Sequence, residues 1–145
     1  MANARIIRMV GYWYDPFENP DLMHPRLFVD PTWEAAARSQ IVEYLRSGTR
    51  WNRYLGYSYC RFEGGPPPKE MGSADLCDGF WLWPEGLHVY VGRYNVRLPD
   101  EFVTHMRVRQ FQIPEGISKE SVGDFSIDLS FWKEWCAREA KGRES

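Results

Sequence analysis

Residues 5–13, RIIRMVGYW, alternate and are rich in β-branched and aromatic side chains. That pattern predicts a strand with Ile7, Met9 and Gly11 facing one way and Ile6, Val10 and Tyr12 the other. Pro16, Pro20, Pro25 and Pro31 then punctuate the chain, so no regular helix fits between residues 15 and 30. This stretch reads as an extended connection with a short strand at 27–29. From Pro31 the period changes. Trp33, Ala37, Ile41, Tyr44 and Leu45 recur at helical spacing, Asp30 and Pro31 provide a start signal, and Gly48 lies where such a helix would end. Residues 51–62 return to an extended pattern, closed by Gly64, Gly65 and three prolines.

In the second half, residues 73–79 read as a turn on the strength of Asp78 and Gly79, followed by a strand at 80–83. Pro84 and Pro99 each look like a helix start, the first with Leu87, Tyr90, Val91 and Tyr94 as an inward stripe, the second with acids in its first turn. Residues 108–113 and 125–129 alternate as strands do, 116–123 read as a connection, and 130–141 read as a helix with Phe131, Trp132, Trp135 and Cys136 on its apolar side. Strands and helices do not alternate regularly, which favours an α+β domain: one mixed or antiparallel sheet against about four helices, spanning 1–145.

Composition narrows the class. With 145 residues, 43% hydrophobic and 26% charged, the chain fits one globular core. Its apolar runs are too short to cross a bilayer, and the N-terminal segment breaks at Arg8 before forming a leader core. No membrane partner is expected, and the cytoplasm is the expected location. Three unclustered cysteines, Cys60, Cys77 and Cys136, argue against a disulfide framework. The net charge of −2 gives no whole-molecule attraction to nucleic acid.

Aromatic residues are the unusual quantity, at 16% of the chain. Most large rings fill cores, but Tyr, Trp and Arg also dominate interface hot spots. Two groups combine them: Tyr12, Trp13, Tyr14 and Phe17, and Arg50, Trp51, Arg53 and Tyr54. Arginine interleaved with aromatic rings around residues 46–61 also suits single-stranded nucleic acid, yet the acidic balance and lack of a module signature weigh against that partner.

Catalytic candidates are fewer. Glu85 and His88 stand three apart, the spacing that makes helix neighbours, with Asp75 and Asp78 nearby. Together they define an alternative reading, a small metal-dependent or acid/base hydrolase. Each also has a plain structural reading: turn formers for the two aspartates, a first-turn acid for Glu85, a surface imidazole for His88. No zinc-ligand spacing, nucleophile elbow or phosphate loop occurs, so no cofactor and no metal site is expected.

The segment GSADLCDGFWLWPEGL, followed by VRLPDEFV, resembles a recurrent pattern in small bacterial proteins, covering about a quarter of the chain. No established activity attaches to that pattern, and it transfers no catalytic residue. The leading expectation is therefore a non-catalytic, protein-binding domain of the bacterial cytoplasm. Its more specific form is an immunity or antitoxin-type protein whose partner is a toxin.

Overall fold

The computed structural model describes residues 4–143; the first three residues of the N-terminal segment read above for a leader lie outside it. Five strands, β1 (Arg5–Met9), β2 (Thr49–Arg53), β3 (Ala74–Cys77), β4 (Trp81–Pro84) and β5 (Phe125–Asp128), form one sheet in the order β2-β3-β4-β1-β5. β1 runs parallel to both neighbours, with Arg8 opposite Trp81 and Ile7 opposite Ile127. The other pairs are antiparallel. The sheet is mixed, and the domain is α+β.

Alternation along β4 sorts its side chains between two cores. Trp81 and Trp83 enter the larger one, while Leu82 joins Ile7, Trp51 and Cys77 in a smaller cluster. Four helices of eight residues or more supply the larger core through stripes at helical spacing. They are α1 (Ala35–Arg46) with Ile41, Tyr44 and Leu45, α3 (Leu87–Tyr94) with Leu87, Tyr90 and Val91, α4 (Asp100–Val108) with Phe102 and Met106, and α6 (Ser130–Arg143) with Trp132, Trp135 and Cys136. Two single-turn helices, α2 (Pro68–Met71) and α5 (Lys119–Val122), complete the set. Rings knit this core: Trp132 meets Trp13 edge-on at 5.2 Å between centroids and stacks on Trp135 at 5.2 Å.

Several expected boundaries shift, each for a local reason. Asp30 does not cap α1. Its carboxylate closes a turn onto the backbone N–H and hydroxyl of Thr32, and the helix starts at Ala35. Residues 25–28 form a 3₁₀ turn in place of a strand, although Val29 does bridge to Val96. β2 stops at Arg53, and beyond it only Tyr54 and Ser58 reach the neighbouring backbone, at Ser73 and Gly72. The 73–79 segment contains the wholly buried strand β3. Pro84 ends β4 opposite Asp75 and starts no helix. No strand forms at 108–113, because α4 runs through Val108 and positive φ at Gln110 and Phe111 breaks the alternation. Pro99 does precede a helix, and Asn95 closes α3 in the left-handed region at φ 55°.

Candidate functional site: an acidic, tyrosine-walled cleft

Strand directions bring the C-terminal ends of β1, β2 and β4 and the N-terminal end of β3 to one edge of the sheet. A cleft of about 600 Å³ opens there. Residues following β1 (Tyr12, Trp13, Asp15, Phe17, Glu18) and residues following β2 (Tyr54, Tyr57, Tyr59, Arg61) supply two of its walls. The third comes from the approach to β3 and the end of β4, with Gly72, Asp75 and Glu85, and Tyr90 of α3 also lines it. Gly72 is required where it stands: φ is +83°, and a Cβ would lie 2.4 Å from the Glu85 carboxyl carbon.

Hydrogen bonds between distant segments hold this lining. Asp75, buried, accepts from the Tyr12 hydroxyl at 2.8 Å, the Tyr54 hydroxyl at 2.5 Å and the Asn52 amide at 3.1 Å. Asp15 accepts from the backbone N–H groups of Phe17 and Glu18 and from the Tyr59 hydroxyl. The backbone bonds to Glu18 and Phe17, with Tyr59, hold its carboxyl below the usual range. Glu85 accepts from the Ser73 N–H at 3.2 Å and pairs with Arg50 at 3.4 Å. Arg61 bonds the carbonyls of Tyr14 and Tyr59 and lies 4.1 Å over the Tyr59 ring.

This environment keeps the phenols protonated. Burial, reinforced by Asp75, pushes Tyr12 well above its ordinary value and Tyr54 up to about 12. Burial likewise raises Tyr90 to about 12, and burial with the Asp15 bond raises Tyr59. The Tyr12, Tyr54 and Tyr59 hydroxyls already donate to carboxylates and Tyr90 to the Tyr59 carbonyl, so these rings serve as fixed walls, with Tyr54 and Tyr59 exposed. Such phenols are poor nucleophiles and poor bases.

Of the expected contact residues, Tyr12, Trp13, Phe17 and Tyr54 converge on this cleft. Tyr14 stands beside it through its carbonyl, and Arg50 reaches it through Glu85. Trp51 does not line it: the indole is buried in the smaller cluster against Phe125. Arg53 is exposed at the end of β2 and makes no side-chain hydrogen bond among the described residues. Missed by sequence reasoning were Tyr57, Tyr59 and Arg61 as wall residues. The alternation around Tyr57 and Tyr59 predicts a strand, whereas β2 ends at Arg53 and these residues form a wall.

The four hydrolase candidates separate. Asp75 and Glu85 share the cleft, whereas Asp78 lies beyond the other end of β3, roughly 10 Å away at strand rise. His88 is half-buried on α3 and no hydrogen bond joins it to Glu85; burial, then Arg46, lowers its basicity. The carboxylate–imidazole pair of this chain is instead Asp78 with His105, Oδ2 to Nε2 at 2.8 Å. Asp78 is fully buried and also accepts from the Tyr44 hydroxyl and from the N–H groups of Phe80 and Trp81. Burial opposes its ionisation, but the bonds from His105 and Tyr44 prevail and hold it below the ordinary carboxylate value. Arg109 Nη1 lies 3.0 Å from His105 Nδ1 and can only donate, so the neutral ring carries its proton on Nε2. Both imidazole nitrogens are thus engaged. The four-residue spacing of His105 on α4 and Arg109 at its C-cap is readable in the sequence, but the link to Asp78 is not.

Among the described residues, no group of three or more His, Cys, Asp and Glu side chains is arranged to hold a metal ion, and no helix is long and apolar enough to cross a membrane. No family model matches the chain, and neither a curated protein nor a solved structure matches it.

Proposed function

We propose that this chain is a non-catalytic protein-binding domain whose cleft receives an extended, basic segment of another protein. The observation that carries the reading is the cleft's composition: four carboxylates, Asp15, Glu18, Asp75 and Glu85, against two guanidiniums, Arg61 in the lining and Arg50 paired with Glu85, set among tyrosine rings and Trp13. Asp15, Asp75 and Glu85, held in place by hydrogen bonds, attract a cation without needing to move, and ring faces add cation–π attraction for Lys or Arg. Phe17 and Tyr57, exposed at the rim, give the apolar contacts that close over a bound segment.

Catalysis by this cleft has less support. Asp75 is committed to three donors, the lining residues include no His, Cys or Lys, and the phenols are held protonated. In its more specific form the reading is an immunity or antitoxin-type role in which the basic segment belongs to a bacterial toxin; the support for that form is the small, acidic, aromatic-rich chain.

A random-peptide display selection tests the proposal. Wild-type protein is expected to enrich sequences containing Lys or Arg, and the double variant Phe17→Ala/Tyr57→Ala to lose them while staying folded. Enrichment of acidic peptides, or equal enrichment by the double variant, would remove the cleft from consideration.

A further inference from the structure

At the opposite end of the sheet from the cleft, a second pocket of about 250 Å³ is lined by Ile6, Arg8, Phe80, Trp81 and His105. β1 spans about 13 Å at strand rise, so the two sites are separate. Three guanidinium groups gather around this pocket without a carboxylate partner of their own. Arg5 and Arg109 lie 4.6 and 4.7 Å from the Phe80 ring centroid, and Arg8 lies 5.7 Å from Trp81 and 5.2 Å from Phe131.

Two acids near the rings and His105 are already engaged. Asp78 is occupied by Tyr44, His105 and two backbone N–H groups. Asp128, close enough for Arg8 to favour its ionisation, uses its oxygens on the N–H and hydroxyl of Ser130 and the N–H of Phe131. Arg8 is exposed and makes no side-chain hydrogen bond among the described residues, so its planar fork of donors is unspent. Arg109 is held: it donates to Nδ1 and to the carbonyl of His105, whose ring Asp78 fixes from its other side. A buried carboxylate, an imidazole and a guanidinium thus run in series beside the pocket: His105 lines it, and Arg109 lies over the ring of Phe80, which also lines it.

We propose that this pocket binds a phosphate monoester, with Arg8 and Arg109 donating to the phosphate oxygens, Trp81 and Phe80 providing the apolar wall, and His105 positioning Arg109. A dianion matches several unneutralised guanidinium groups better than a single carboxylate does, and arginine forks suit phosphate bidentately. The ester could belong to a free small molecule or to a phosphorylated side chain, and the two share this chemistry.

The test is calorimetric titration at fixed ionic strength with inorganic phosphate, phenyl phosphate, a phosphoserine peptide and acetate, followed by the Trp81 indole resonance. Phosphate or its esters are expected to bind at least tenfold tighter than acetate and to shift that resonance. Arg8→Gln is expected to weaken binding at least tenfold with only a small change in melting temperature, since the exposed side chain makes ring contacts with Trp81 and Phe131 and no hydrogen bond among the described residues. His105→Gln is expected to weaken binding while Arg8 still contributes, giving a smaller loss than the double variant. Tighter binding of phenyl phosphate than of the peptide assigns a small-molecule source, and the reverse assigns a phosphoprotein. No binding by any phosphate species, or binding unaltered in Arg8→Gln, overturns the proposal and leaves the cleft reading untouched.

Discussion

The hydroxyl of Tyr12 lies 2.8 Å from Asp75 Oδ1, joining residues 63 positions apart across the wall of the cleft. Asp75 also takes donors from Tyr54 and Asn52, so one carboxylate ties the exit of β1 to the exit of β2. Asp75→Ala would strand all three donors. The expected cost is about 1–3 kcal/mol, read from the denaturant midpoint. Asp75→Asn is expected to cost less, because its amide oxygen keeps two donors and the Tyr12 hydroxyl can turn to accept from the new NH₂. Equal stability of the alanine variant and wild type would show that this junction does not hold the cleft.

Alkaline pH tests the same walls. Tyr12, Tyr54 and Tyr90 all titrate above their unfolded value of about 10, and Tyr54 and Tyr90 reach about 12. Between those values the unfolded chain releases protons that the native chain retains, so the native state loses ground as pH rises. The stabilisation is complete below about pH 10 and is lost as pH climbs toward about 12. The buried thiols of Cys77 and Cys136 are raised as well, from an ordinary value of about 9, so chemical denaturation from pH 8 to 11.5 is expected to show a decline that begins near pH 9 and steepens above about pH 10. Tyr54→Phe is expected to make that decline shallower, and a profile flat throughout would contradict the assignment.

Two tryptophans with different hydrogen-bond status make a paired test. Trp132 Nε1 donates to the Tyr12 carbonyl at 2.7 Å, while Trp13 Nε1 is buried with no partner among the described residues. Both rings occupy the same core. Trp132→Phe loses ring volume and leaves a buried carbonyl unpaired, whereas Trp13→Phe loses ring volume and removes an orphaned donor. Trp132→Phe is therefore expected to be more destabilising by about 1 kcal/mol or more in thermal or denaturant unfolding. The opposite order would count against the packing described here.

Trp51 and Tyr57 separate stability from recognition. Trp51 is buried against Phe125, so Trp51→Ala is expected to cost about 3–5 kcal/mol of stability. Tyr57 is 58% exposed at the cleft, so Tyr57→Ala is expected to leave stability within about 0.5 kcal/mol. Binding of a basic peptide should fall about tenfold or more in Tyr57→Ala, equivalent to about 1.4 kcal/mol. A Tyr57→Ala variant that binds normally would shift the contact away from this wall.

Much of the fold was legible because local pattern and global packing agreed. The stripes of α1, α3 and α6 and the strands β1 and β5 followed from periodicity alone. Misreadings arose where long-range partners overrode local chemistry. Ser73, Asp75, Asp78 and Gly79 look like turn residues, yet Asp75 sits in a buried strand because donors 21, 23 and 63 positions away satisfy it. Residues 54–62 have strand-like alternation but no adjacent strand to pair with, so they become a cleft wall held by Arg61 and Asp15. The Asp78–His105 pair was invisible for a similar reason: its members are 27 positions apart, on a turn and a helix.

The central claim is that the cleft discriminates by charge and contacts a bound chain through its tyrosine walls. The most direct measurement is an amide NMR titration with two peptides of equal length, one alternating Arg and Gly, the other Glu and Gly. The predicted result is saturable perturbation of residues 57–61 and 72–75 by the arginine peptide, little change with the glutamate peptide, and loss of the response in Phe17→Ala/Tyr57→Ala. Equal responses to both peptides, or perturbations confined to residues outside the cleft, would contradict it.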